Sequence, residues 1–133
     1  MANLSLTAAN VLKTTSTQFS YGTFGETVAA GEWVYLKDDG KLWLADATSA
    51  IKADTVGQAL NGGAAGQPAQ YVFAEDITLS GMTVGTFYFL SATPGKMCPA
   101  ADLTSGHFVT CLGGATTATN FRINRNALGV AIA

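Results

Sequence analysis

The chain has 133 residues, a length suited to one compact domain with a sizeable core. Charged residues make up 12% of it, about half of the usual share of roughly 25%, and 48% are apolar, which excludes a disordered chain. The net charge is −2 and the basic residues are scattered, so the sequence predicts no nucleic-acid partner. The first residues lack the features of a signal peptide, and no stretch approaches the roughly 20 apolar residues of a membrane helix, so we expect synthesis in the cytoplasm and no membrane partner.

The first 27 residues are polar and rich in Thr and Ser, with a predicted strand over residues 18–24. We expect segment 1–27 to be an extended arm outside the main body, because chain termini are often loose until a partner orders them. Its large apolar residues are then the expected interface with a partner protein or with another subunit. These residues are Leu4, Leu6, Val11, Leu12, Phe19, Tyr21 and Phe24.

The remainder, residues 28–133, reads as short apolar or alternating runs separated by turns that contain Gly, Asp or Pro. Many short strands at spacings of about 8–12 residues predict an all-β fold, a small β-barrel or β-sandwich. A helical turn is expected near residues 99–103, and the run at 128–132 is expected to be a last strand packed into the body.

Two parts of this body resemble each other. Gly31–Leu36 (GEWVYL) corresponds to Gly85–Leu90 (GTFYFL), and each is followed by a turn that ends in Gly-Lys, at residues 40–41 and 95–96. Each then reaches a similar phrase, Ala-Asp-Ala-Thr-Ser at 45–49 and Ala-Asp-Leu-Thr-Ser at 101–105. The body is therefore predicted to consist of two related β-units, about 28–80 and 81–133.

Aromatic residues are concentrated on the predicted strands of both units, namely Trp33, Tyr35, Trp43, Phe87, Tyr88 and Phe89. Their positions favour core packing over a platform that stacks on sugars or bases. Neighbouring residues on a strand point to opposite faces. We therefore expect Trp33 with Tyr35, or Phe87 with Phe89, to lie against the core and the residue between them to face a neighbouring subunit.

Cys98, His107 and Cys111 are the only Cys/His grouping. Three ligands are one short of a structural zinc site, and a pair formed by Cys111 and His107 has no marked third group for nucleophilic catalysis. A disulfide is not favoured in a chain with no secretion signal. The sequence thus predicts two free thiols and no catalytic residue, metal or cofactor, with a small Cys111–His107 enzyme as the weakest alternative.

The order of strand and turn motifs in the first unit is similar to that of a known protein family. Val34-Tyr35-Leu36, Asp39-Gly40-Lys41-Leu42, Ala45-Asp46-Ala47 and Val56-Gly57-Gln58-Ala59-Leu60 together resemble the head decoration proteins of tailed bacteriophages, also called capsid cement or stabilising proteins. The resemblance covers residues 28–73 and, more weakly, 84–123. It lies in strand and turn pattern and includes no catalytic signature.

The resemblance implies a structural, non-enzymatic virion protein on the outer capsid surface. Its implied partner is the phage major capsid protein, which such proteins clamp from outside, often as homotrimers. It also implies that the N-terminal segment adds strands to the capsid protein, a form of β-augmentation. The alternative is a phage tail or fibre β-module that adheres to glycans on the host surface.

Overall fold

A computed structural model describes residues 3, 4 and 6–133 of the chain. The fold is all-β, as predicted, and an antiparallel sheet curls into a half-barrel. Within these described residues its ten strands are β1 Leu12–Lys13, β2 Gln18–Thr23, β3 Trp33–Leu36, β4 Leu42–Leu44, β5 Gly57–Ala59, β6 Pro68–Thr78, β7 Phe87–Leu90, β8 Met97–Pro99, β9 Phe108–Ala115 and β10 Asn120–Ala131.

Helical structure is limited to single turns in the described residues. A 3-10 turn spans Ala8–Asn10, and a second one, Ala100–Asp102, falls where a helical turn was expected. The α-helix α1, Ala50–Ala53, was not predicted; it begins at Ser49, whose hydroxyl accepts a hydrogen bond from the Lys52 amide at 3.2 Å. None of the described helices has the length and apolar character needed to cross a membrane.

The strand order is the same in the two halves of the chain. The first half is ordered β4-β3-β5-β6 and the second β8-β7-β9-β10, and the two halves meet where β6 pairs with β10. The glycines that precede and follow the first strand of each half, Gly31 and Gly40, Gly85 and Gly95, all have positive φ. Each predicted unit therefore contains the same sequence of hairpin, helical turn and two further strands.

Strand β6 connects two parts of the sheet. Its first residues pair with β2 on one edge and β5 on the other, whereas its last residues pair with β1 and β10. The change occurs near Glu75, which has a φ of 67°. Residues other than glycine rarely adopt a positive φ, so the conformation of Glu75 marks a sharp local bend in the strand.

Two apolar clusters fill the interior. The larger one lies between the two halves and is centred on Trp33, Leu90, Leu112 and Phe121, with the rings of Trp33 and Phe121 edge to face at 6.4 Å. The smaller one lies inside the curled first half, where a parallel bridge between Phe24 and Leu42 links β2 to β4. The fold is thus held by one interface between the units and one core within the first unit.

Segment 1–27 belongs to this body wherever it is described; residues 1, 2 and 5 of the predicted arm lie outside the described residues. Strand β2 pairs with β6 along its whole length, and Phe24 is fully buried in the smaller cluster. Val11 is buried in the larger cluster, against which Leu4 and Leu6 also pack. The segment is extended, but these contacts make it part of the core rather than a separate arm.

The C-terminal strand differs from its prediction. Phe121 and Ile123 are buried, but every residue from 124 to 131 is exposed, including Leu128 and Val130. This end of β10 forms a hairpin with β9, whereas β6 pairs with β10 only over residues 120–123. The expectation that the last strand packs into the body is therefore wrong, because β6 bends away before it can cover this strand.

Candidate interaction surface

Large apolar side chains are exposed at several separate places on this weakly charged body. They are Leu12, Tyr21, Leu36, Ile51, Val84, Phe87, Leu128 and Val130, each more than half exposed. Single exposed apolar residues are ordinary on protein surfaces. The arrangement around Phe87 and Leu36 goes beyond that, because these residues occupy corresponding places in the two units.

The predicted interface residues differ in their exposure to solvent. Leu12 and Tyr21 are exposed, and Phe19 is half-buried, with its ring edge to face with Tyr21 at 5.8 Å. In contrast, Val11 and Phe24 are buried within the chain, so in this conformation their side chains cannot reach a partner. Leu4 and Leu6 are half-buried against the main core.

Phe87 combines an exposed aromatic ring with an adjacent groove. Its side chain is 65% exposed, and its ring lies over Gly114 of the neighbouring strand, 3.3 Å from where a Cβ would stand. Beside it is an open groove of about 290 Å³, lined by Gly113, Gly114, Cys111 and Arg122 among others. We call Phe87 and this groove the Phe87 surface.

Glycine gives this groove its floor. Gly113 has a φ of 150°, and a Cβ built there would lie 2.0 Å from the carbonyl oxygen of Arg122, a distance that no side chain tolerates. The close approach of β9 to β10 therefore requires glycine at this position. The absence of side chains at positions 113 and 114 leaves a shallow depression in the sheet next to an exposed ring.

The charge beside the groove is compensated. The guanidinium of Arg122 donates two hydrogen bonds to Asp76, from Nε to Oδ1 at 2.8 Å and from Nη2 to Oδ2 at 3.1 Å. These bonds lower the pKa of the Asp76 carboxyl, and the same contact raises the pKa of Arg122. The Phe87 surface is thus apolar with a neutral ion pair at one side.

The Cys/His grouping does not come together. Cys98 lies on β8 and Cys111 on β9, with β7 between them, so their backbones are about 9–10 Å apart, beyond the Cα–Cα separation that a disulfide spans. His107 precedes Cys111 by four residues of extended chain, about 13 Å, and its Nδ1 accepts a hydrogen bond from the Thr104 amide at 3.1 Å. Among residues 3, 4 and 6–133, no group of three metal-ligating side chains is present.

Both thiols are shielded. Burial raises the pKa of Cys98 to about 11, and it also raises the pKa of the half-buried Cys111. A raised pKa keeps a thiol protonated near neutral pH and makes it a poor nucleophile. The protonated Cys111 thiol is therefore better suited to packing between strands than to nucleophilic attack.

The predicted aromatic residues also divide. Trp33, Tyr35 and Tyr88 are buried, which agrees with core packing. Trp43 is half-buried; its indole N–H donates to Asp39, and the Lys37 ammonium lies 4.4 Å from its ring centroid. On β7 the expectation was wrong, because Phe87 faces outward while the Tyr88 side chain is buried in the larger cluster. On β3 the residue between Trp33 and Tyr35, Val34, is fully buried in the smaller cluster instead of facing a neighbour.

Sequence reasoning missed Phe87, Leu36, Ile51 and Val84 as surface residues, since alternation alone does not say which face of a strand another unit covers. The repeat is the signal that points to Phe87 and Leu36, because corresponding residues of the two units can be compared for burial once the fold is known.

No protein-family model matches the sequence, and no curated protein matches it.

Proposed function

We propose that this chain is a structural virion protein that binds the outer surface of an assembled phage capsid. In this role it stabilises the shell as a homotrimer by clamping neighbouring major capsid subunits. The observation that carries the proposal is the set of eight large apolar side chains that are exposed among the described residues, on a chain with only 12% charged residues. A protein of this kind acts by burying surface.

The energetics suit attachment by many modest contacts. Burial of one large apolar side chain contributes about 1.5–3 kcal/mol, and few charges need to be desolvated on this surface. Linkage of three such contact sets in a trimer raises apparent affinity by about 10²–10⁴. Low charge also weakens the repulsion that would otherwise keep copies apart.

The N-terminal part of the body offers a place for strand addition. Within the described residues, the ladder of β2 lies on β6, and Tyr21 and Leu12 project from this region with large exposed areas. A strand with an open edge can accept a strand of a partner through main-chain hydrogen bonds, while its side chains set the register. This supports β2 and its surroundings as the capsid-facing region.

Cryo-electron microscopy of the virion that carries this chain tests the proposal. We expect density for the all-β body on the outside of the head. Density confined to the tail or fibre, with a bare head, would contradict it.

A binding experiment tests the residues. The double variant Leu12→Ser/Tyr21→Ser is expected to co-sediment with heads lacking the protein at reduced occupancy. Leu128→Ser is a matched control, because Leu128 has similar exposure on a different strand. Equal occupancy for both variants would remove the β2 region from the proposed contact.

A tail or fibre module that binds host glycans is the second candidate, favoured by the exposed rings of Tyr21 and Phe87. Exposed aromatic rings are able to stack on sugars. Trp43 is less suited, because Lys37 and Asp39 already contact its indole. Glycan-array binding that is lost in Tyr21→Ala would support this candidate, whereas no binding to any glycan would count against it.

A further inference from the structure

The two units of the chain pack head to tail, and this packing leaves one complementary pair of surfaces open. The hairpin turn of the second unit, residues 91–96, docks on the first unit. Gly95 accepts a hydrogen bond from the Trp33 amide at 2.9 Å and donates one to the Ala45 carbonyl at 2.7 Å. Lys96 adds an ion pair to Glu32, with Nζ and Oε2 3.1 Å apart.

The docked hairpin turn buries apolar side chains of both units. Trp33 on the receiving side and Leu90 at the base of the docking hairpin are both fully buried in the cluster between the units. A Cβ added to Gly95 would lie 2.9 Å from Leu44 and 3.0 Å from Glu32. The contact between the units is therefore close-packed, and it uses glycine at the tip of the hairpin turn.

The corresponding residues of the opposite units are exposed. Phe87 takes the place of Trp33 in the second unit and is 65% exposed, and Leu36 takes the place of Leu90 in the first unit and is 56% exposed. The hairpin turn of the first unit, residues 37–41, is exposed throughout. A Cβ at Gly40, which corresponds to Gly95, would meet no described atom within 4 Å.

We propose that a second copy of this chain docks the hairpin at its residues 36–41 onto the Phe87 surface. The contact repeats between chains the one that each chain already makes between its own units. It is heterologous, so successive contacts generate a ring when the rotation closes, and a trimer is one such ring. The inference rests on the homotrimer of the proposed function for its biological role.

The chemistry of the two surfaces agrees with this occupant. Leu36 supplies an apolar side chain to a shallow apolar groove beside an aromatic ring, so the centre of the contact buries apolar surface on both sides. Thr86 stands where Glu32 stands in the first unit, so Lys41 has no counterpart of the Lys96–Glu32 ion pair. The hairpin also carries Lys37, Asp38, Asp39 and Lys41, whose formal charges sum to zero, so the contact between chains depends mainly on burial of Leu36 and Phe87.

Analytical ultracentrifugation of the purified full chain tests the contact without any capsid. We expect the wild type to self-associate, and Phe87→Asp and Leu36→Asp each to weaken self-association by about tenfold or more. Tyr21→Asp is the control, with a similarly exposed aromatic residue outside both surfaces, and is expected to associate like the wild type. Unchanged circular dichroism shows that the variants fold.

A mixing experiment decides the head-to-tail geometry. Phe87→Asp retains an intact hairpin and Leu36→Asp retains an intact Phe87 surface, so an equimolar mixture has one productive contact and should form a heterodimer and nothing larger. A mixture that stays monomeric, a wild type that is monomeric at high concentration, or variants that associate like the wild type would each overturn the proposal. Because no capsid is present, failure to bind heads would contradict the proposed function alone.

Discussion

Phe24 provides a direct test of whether the N-terminal segment belongs to the core. The substitution Phe24→Ala removes a fully buried ring from a cluster formed by Val28, Val34, Leu42, Ala59 and Ala69. Two of these neighbours are alanines, and Gly63 lies against the ring, since a Cβ there would stand 2.9 Å from Phe24 Cδ2. Small neighbours have few atoms with which to refill the space, so a cavity should remain.

The expected loss is about 4 kcal/mol of unfolding free energy, within the range of about 3–5 kcal/mol for Phe→Ala in cores. For 133 residues the unfolding entropy is about 280 cal/mol/K near 60 °C, so the midpoint should fall by about 14 °C. Phe24→Leu keeps much of the volume and is expected to lose only about 1–2 kcal/mol. The graded loss identifies packing as its cause.

Thermal unfolding followed by circular dichroism, with urea unfolding as a second measurement, checks these values. Tyr21→Ala is the matched control on the same strand; Tyr21 is 70% exposed, so its midpoint should change by no more than about 2 °C. Equal midpoints for Phe24→Ala and Tyr21→Ala would refute the reasoning, and would show that segment 1–27 does not contribute to the core in solution.

Two further predictions concern ionisable groups. The hydrogen bonds from Arg122 lower the pKa of Asp76, so this carboxylate contributes stability that is complete above its unfolded pKa of about 3.9 and is lost as the pH falls through the lower folded pKa. In urea titrations, Asp76→Asn should reduce the free energy of unfolding at pH 7 and weaken the fall of that free energy between neutral and acidic pH. An unchanged pH dependence in this variant would contradict the assignment. At pH 8 Ellman's reagent should modify Cys111 slowly and leave Cys98 unmodified until denaturant is added, because Cys98 is buried and its pKa is about 11. Rapid reaction of both thiols in the folded protein would show that the core around Cys98 opens to the reagent.

Local patterns were sufficient for much of the strand layout. The apolar run at 33–36 and the Asp-Asp-Gly turn after it predict β3 and its hairpin, because both signals depend on neighbouring residues. The same holds for the repeat, whose glycines at 31, 40, 85 and 95 share the left-handed conformation that each turn requires. Helix α1 was missed, since four residues with one capping serine give too short a pattern to recognise.

Which faces are covered was decided only by the tertiary structure. Trp33 and Phe87 occupy the same place in their units and look alike in sequence, yet one is fully buried and the other is exposed. Tyr21 and Phe24, three residues apart in one predicted strand, differ in the same way because only Phe24 reaches the bridge to Leu42. Sequence alone determined an all-β chain of two similar units with little charge. Burial depends on which distant strand lies against each face, and that follows from the head-to-tail packing of the units and the bend in β6, neither of which a local pattern encodes.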